Sequence, residues 1–374
     1  MLSEYGHLCR AINIKIGDPS MIKNTMDVLL QQGILETLSE LSIQVRDESL
    51  FDPDRSNHSE YITSSSSSFK KSFTGLLGRL SAFRISGVNI HWETTALSPR
   101  LVELHIQNVT LGYDNSIIPL LNALSSAPKL RNLKLISIAT LYNPNIGCNT
   151  STISHVTLPK LQSLTLHDLY SNTLEPLLET IGLSTYSATF LLSSKCFRSH
   201  RLSHGEPGNE EPWDIYSVGS PERLCRLAKD TPVETLMLDG IWWMKNNAFR
   251  SILESTPVLK TLKIDHGAFT QDTCLALTNE RNESEGTVPF PSLENIHITR
   301  CVFHAGPKVE EAFKNMVRSH RLRRVVLGGT VRNVNPDGTS ISKGLETFGL
   351  VGWLETHVPT LRIVDQSYRS PEFY

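Results

Sequence analysis

LVELHI at residues 101–106, LRNLKL at 130–135, LQSLTL at 161–166 and LKTLKI at 259–264 share one form, L-x-x-L-x-L with isoleucine accepted at the end. Variants with a substituted apolar residue stand at Leu38-Leu41-Ile43, Leu80-Phe83-Ile85, Val233-Leu236-Leu238, Leu293-Ile296-Ile298 and Leu322-Val325-Leu327. Weaker echoes occupy Cys9-Ile12-Ile14 and Ala188-Leu191, and a last copy starts at Leu361. From the register at 9 to that at 322, ten intervals average about 31 residues, a period that signals a stacked repeat architecture.

Positions 4 and 6 of the motif fall on one face of a short strand, because successive strand residues point to opposite sides. Position 1 packs onto the same core from the incoming turn. Between the strands lie stretches with helical spacing: Asn115–Leu124, capped by Asp114 or Asn115, then Pro221–Ala228 after Ser220, Asn247–Leu253 and Val309–Val317. A strand–helix unit cannot bury its apolar side alone, so neighbours must stack. The expected fold is α/β: a solenoid of about ten to twelve irregular repeats forming one domain over 1–374, with a parallel sheet inside a horseshoe and helices outside. The Ser-rich stretch 52–72, containing YITSSSSSF at 61–69, reads as a flexible insertion, with phosphorylation as a minor alternative.

This pattern resembles the leucine-rich repeat superfamily in its long, helix-backed form. The irregular repeat lengths, the Val and Ile substitutions and the prolines before strands (Pro128, Pro159, Pro232, Pro257, Pro291) look most like fungal F-box-type repeat proteins. The resemblance implies a non-enzymatic substrate-recognition protein, with an N-terminal F-box module docking onto a cullin ubiquitin-ligase scaffold. The Leu-Pro start of that module is not visible here, and the chain enters the first repeat at Tyr5–Ile16. The alternative within the same fold is a repeat protein that embraces and regulates another enzyme.

Composition narrows the classes further. Thirty-six Lys and Arg against 38 Asp and Glu give a net charge of −2, which supplies no basic field for nucleic acid or anionic lipid. No apolar run reaches the roughly 20 residues that cross a bilayer, and the N-terminus lacks a secretory signal pattern. Six scattered cysteines read as reduced thiols, which points to a cytoplasmic or nuclear protein.

Catalytic devices are not found. No phosphate loop or nucleophile elbow occurs. Cys196-x3-His200-x3-His204 has zinc-like spacing but lacks a fourth ligand and sits among arginines, so it reads as a surface loop; no metal and no cofactor are expected. His167-Asp168 and Asp265-His266 are adjacent on strands and point apart, so neither forms a dyad. A β/α barrel hydrolase is the rival architecture. Its strands are apolar on both faces, whereas positions 3, 5 and 7 here are repeatedly polar, as in Glu103, His105 and Gln107. That wet face is the expected docking surface for a protein ligand. Arg84, His105, Lys134 and His167 would meet an acidic contact, Asp239, Lys263 and Asp265 a basic one, and His297 lies in the same column. Trp213, Trp242 and Trp243 are further candidate anchors.

Overall fold

The computed structural model describes residues 9–18, 20–31, 37–45, 61–63, 67–142, 155–181, 186–200, 221–241, 244, 246–279, 291, 293–334, 340–347 and 349–373. The chain divides into two compact units, Met1–Tyr186 with Lys195–Gly219, and Ser187–Ser194 with Ser220–Tyr374.

The first unit contains β1 (Ala11–Ile16), α1 (Met21–Gln31), β2 (Glu40–Val45), α2 (Ser67–Leu77), β3 (Ala82–Ser86), β4 (Glu103–Tyr113), α3 (Ile117–Ser125), β5 (Asn132–Leu141), β6 (Ser163–His167) and α4 (Ser171–Thr180). Its strands are parallel, in chain order. One register line runs Asn13, Ser42, Arg84, His105, Lys134, Thr165, matching the position-5 column read from the sequence.

The second unit contains β7 (Ser187–Leu192), α5 (Pro221–Lys229), β8 (Val233–Asp239), α6 (Asn246–Glu254), β9 (Thr261–Phe269), α7 (Gln271–Leu277), β10 (Asn295–His304), α8 (Pro307–Ser319), β11 (Arg324–Val334), β12 (Ser340–Gly344), α9 (Leu350–His357) and β13 (Thr360–Val364). Strands β7 to β11 are parallel in chain order, and Met237, Lys263, His297 and Val326 form one line. The long β11 pairs with β10 and with two further strands, β13 in parallel along Arg324–Gly328 and β12 antiparallel along Thr330–Val334. Among the described residues no strand of either unit returns to pair with that unit's first, so these strands do not close into the ring of a β/α barrel. The fold is a leucine-rich repeat solenoid.

The motif explains the core. Leu104, Ile106, Leu133, Leu135, Leu262, Ile264, Ile296 and Ile298 are all fully buried, each contributing about 1.5–3 kcal/mol of transfer free energy. Consecutive helices cover this layer, α1 on α2, α3 on α4, and α5 through α8 in succession. The repeat that joins β3 to β4 has no α-helix. Only 21 residues separate Leu80 from Leu101, and the link between β3 and β4 is a 3-10 turn, Trp92–Thr94. Buried Asn89 organises it, its Oδ1 accepting from Trp92 Nε1 (3.0 Å) and Ile90 N (2.8 Å) while its Nδ2 donates to Thr110 O (3.2 Å).

Three readings shift. The Ser-rich stretch ends earlier than 72, because α2 starts at Ser67 and buries Phe73, Leu76 and Leu77 at helical spacing; residues 52–60 and 64–66 lie outside the described ones. In β7 the register differs by one from the Ala188-Leu191 reading: Phe190 aligns with Leu236 and Leu191 with Met237. Leu361 aligns with Val325, which makes it position 4 of the last copy rather than its start.

A further periodicity appears at position 8, immediately after the polar face. Asn108, Ser137, Asp168, His266 and Arg300 all have φ between 49° and 61°, and Gly87 and Gly240 have φ of 74° and 76°. The same left-handed kink recurs in these seven repeats, within the strand or directly after it, although a left-handed conformation costs a side-chain-bearing residue roughly 1 kcal/mol. His266 is exposed, so His266→Gly is expected to stabilise the protein by about 1 kcal/mol, read as a higher denaturant midpoint at unchanged slope.

Candidate functional site: the polar face of the sheet

In the first unit this face is open to water. Arg84 is held in a fork by Glu103, with Nε and one terminal nitrogen 2.6 and 2.8 Å from its two oxygens, and a second terminal nitrogen 3.5 Å from Glu40. The Arg84 hydrogen bonds hold the Glu103 carboxyl below its usual range. His105, on the next strand, is pushed down by burial and by Lys134, so it is neutral at pH 7. Lys134 is exposed, and His167 at position 7 of β6 is buried. Parallel strands lie about 4.8 Å apart, so Arg84, His105 and Lys134 make one short row.

At the ends of β4 and β5 lies a buried polar cluster that the repeat motif does not reveal. Asp114 Oδ1 accepts from Thr140 Oγ1 (2.8 Å) and Asn172 Nδ2 (2.7 Å), and Thr173 Oγ1 accepts from Thr140 N (3.0 Å). It ties β5 to the start of α4. Asp168 accepts from Lys195 Nζ (2.6 Å) and Ser137 Oγ (3.2 Å). Cys196 is buried in a short 3-10 turn and the His200 ring stacks on Tyr170 at 4.6 Å, while His204 lies outside the described residues. Among the described residues no group of three or more metal-ligating side chains converges. Trp213, Trp242 and Trp243 also lie outside them.

In the second unit the corresponding face is covered by the chain itself. Arg369 reaches both predicted acids, its terminal nitrogen 3.1 Å from Asp239 Oδ2 and its Nε 3.1 Å from Asp265 Oδ2. Asp265 is fully buried and also accepts from Thr299 Oγ1 (2.8 Å) and from the Arg300 fork, one arm at 3.0 Å. Lys263, 7% exposed, donates to Glu372 at 2.7 Å. Phe373 packs with Leu191 and Met237. Burial alone would raise the Glu372 carboxyl, but the bonds from Lys263 and Ser370 bring it down to about 2. The basic group expected opposite Asp239 and Asp265 is thus present in the same chain. His297 stands beside Lys263 on β10.

Burial lowers His91, His105, His200, His297 and His320, most of all His297, which falls to about 4 with Lys263 and Arg324 adding to the effect. For a base depressed on folding, the unfolded chain binds the extra proton between the two pKa values. Stability is therefore full above pH 6.5 and is lost as pH falls towards 4. The thermal midpoint is expected to drop steadily over that window, and His297→Gln to flatten part of the drop.

No family model matches the chain, and no curated protein matches it. Solved structures do. The leucine-rich repeat-containing protein LegL7 from Legionella pneumophila is 10% identical, with 96% of this chain and 92% of that one covered at a TM-score of 0.39. A chain of the Rad7 and Elc1 complex from yeast is 13% identical, with 88% of this chain and 65% of that one covered at a TM-score of 0.35.

Proposed function

We propose that the chain is a non-enzymatic protein-interaction module whose open sheet face around Arg84, His105 and Lys134 receives an acidic segment of a protein partner, with His167 buried at the end of that row. The observation that carries this reading is the continuous register of polar side chains across six parallel strands on a solvated face. The Glu103 fork fixes the Arg84 guanidinium, neutral His105 offers a hydrogen-bonding ring, and exposed Lys134 supplies a cation for electrostatic steering. The finer reading follows the resemblance to F-box-type repeat proteins: a substrate-recognition protein that works with a ubiquitin-ligase scaffold.

Proximity labelling in cells tests both levels. His105→Glu combined with Lys134→Glu is expected to lower recovery of the dominant partner about tenfold or more, since like charges now face its acidic segment. Unchanged recovery contradicts the assignment of this face. Ligase scaffold subunits among the labelled proteins support the F-box-type reading, whereas their absence beside one dominant enzyme favours a regulator of that enzyme.

A further inference from the structure

The segment that follows β13 behaves chemically as a guest on the sheet. Its described backbone hydrogen bonds stay within itself, Tyr368 N to Asp365 O and Phe373 N to Ser370 O, both 3.0 Å. Its attachment to the strands is through side chains: Arg369 between Asp239 and Asp265, Glu372 on Lys263, and Phe373 against Leu191 and Met237. The Arg369 guanidinium also lies 5.7 Å from the centre of the Phe373 ring, which keeps the two anchors together. Asp365, Gln366 and Ser367 are exposed and form the link to β13.

The surface beneath is built for such a guest. Where the first unit carries Ser42, Arg84, His105, Lys134 and Thr165 at position 5, β7 and β8 carry Leu191 and Met237, 5% and 1% exposed. An apolar pair on the polar face makes a socket for one aromatic ring, with the Lys263 amine beside Met237 and the Asp239 and Asp265 carboxylates two residues further along β8 and β9. We propose that the polar face of β7–β9 is a peptide-binding groove for a partner segment carrying an arginine, an acidic residue three positions on and an aromatic residue next to it, and that residues 366–373 occupy it as a displaceable internal ligand. This goes beyond the reading given above, since it concerns a different face and its test can fail alone.

A tether this short holds its ligand at an effective concentration on the order of millimolar. A groove with an intrinsic Kd of about 10 μM would then be self-occupied roughly 100 to 1, and a free peptide would bind the intact chain about 100-fold more weakly than the vacated groove. The probe is a labelled synthetic peptide of residues 366–374 titrated against the full-length chain. Binding is expected to be at least tenfold tighter to a full-length variant carrying Arg369→Glu and Phe373→Ala than to the unaltered chain. Adding Lys263→Glu to that variant should abolish binding, and a peptide carrying Glu372→Lys should restore it.

Equal or absent binding to the unaltered chain and a folded released variant overturns the proposal. So does binding only by dimers that have exchanged their segments, which would make a second copy the natural occupant. Hydrogen exchange on the unaltered chain decides the matter even if the variant does not fold. Amides of Tyr368 and Phe373 exchanging well before those of β8 and β9 support a displaceable segment, and exchange only with global unfolding refutes it.

Discussion

Asp265→Ala is expected to destabilise the protein by about 3 kcal/mol, the low end of the cost of removing one partner from a buried ion pair. Asp265 is fully buried and collects Thr299, Arg300 and Arg369 at one carboxylate. Its loss takes the carboxylate from the Arg300 fork and leaves Arg369 with Asp239 alone, and the two guanidinium side chains, 32% and 23% exposed, recover part of their hydration. Chemical denaturation measures the loss. The substitution is also expected to be strongly non-additive with Arg369→Ala, because each change removes the same Asp265–Arg369 ion pair. Additive costs would mean that Asp265 and Arg369 do not act as a pair.

Gly329→Ala is the second large effect, with an expected cost of about 3 kcal/mol or more. Gly329 has φ 140°, and a Cβ there would sit 1.9 Å from Cys301 O and 2.8 Å from Cys301 N, backbone atoms of the neighbouring strand. The pairing of β10 with β11 shifts register between Ile298 and Cys301, immediately where Gly329 approaches, so that irregularity is accommodated by the missing side chain. Gly17, with nothing within 4 Å of an added Cβ, is the control, and Gly17→Ala should change the denaturant midpoint little. Similar midpoints for the two variants would show that the strands can part at small cost.

The repeat motif made most of this fold legible. Apolar residues at positions 1, 4 and 6 predict both the buried face and the pairing, and each position-5 residue of β1–β6 and β8–β11 finds its expected neighbour. The four helical stretches read from spacing correspond to α3, α5, α6 and α8 with ends moved by one or two residues. What failed is instructive. In β7 the local sequence Ala-Thr-Phe-Leu-Leu offers apolar residues on both faces, and Leu191 turns to the polar side because Phe373 covers it, a contact made 182 residues later in the chain. The left-handed turn at position 8 recruits Asn108, Asp168, Gly87 and Gly240 as composition suggests, but Ser137, His266 and Arg300 carry no such signal. The charges of Asp239, Lys263 and Asp265 were read as contacts for a protein ligand, whereas in the structure Arg369 and Glu372 of the same chain pair with them, a long-range contact that spacing does not reveal.

One contrast separates the two units: the position-5 row is open in the first and covered in the second. Single cysteines at Lys134 and at Met237, each introduced in the full-length protein and treated with a thiol reagent under native conditions, read that contrast directly. Of the native thiols, Cys274 and Cys301 are buried and pushed up to about 12, and the unaltered chain supplies the background from the rest. Lys134→Cys should label rapidly and Met237→Cys at least tenfold more slowly, the latter accelerating when Arg369→Glu and Phe373→Ala are added. Equal rates at the two positions, or a Met237→Cys rate indifferent to those changes, would contradict the assignment of both faces.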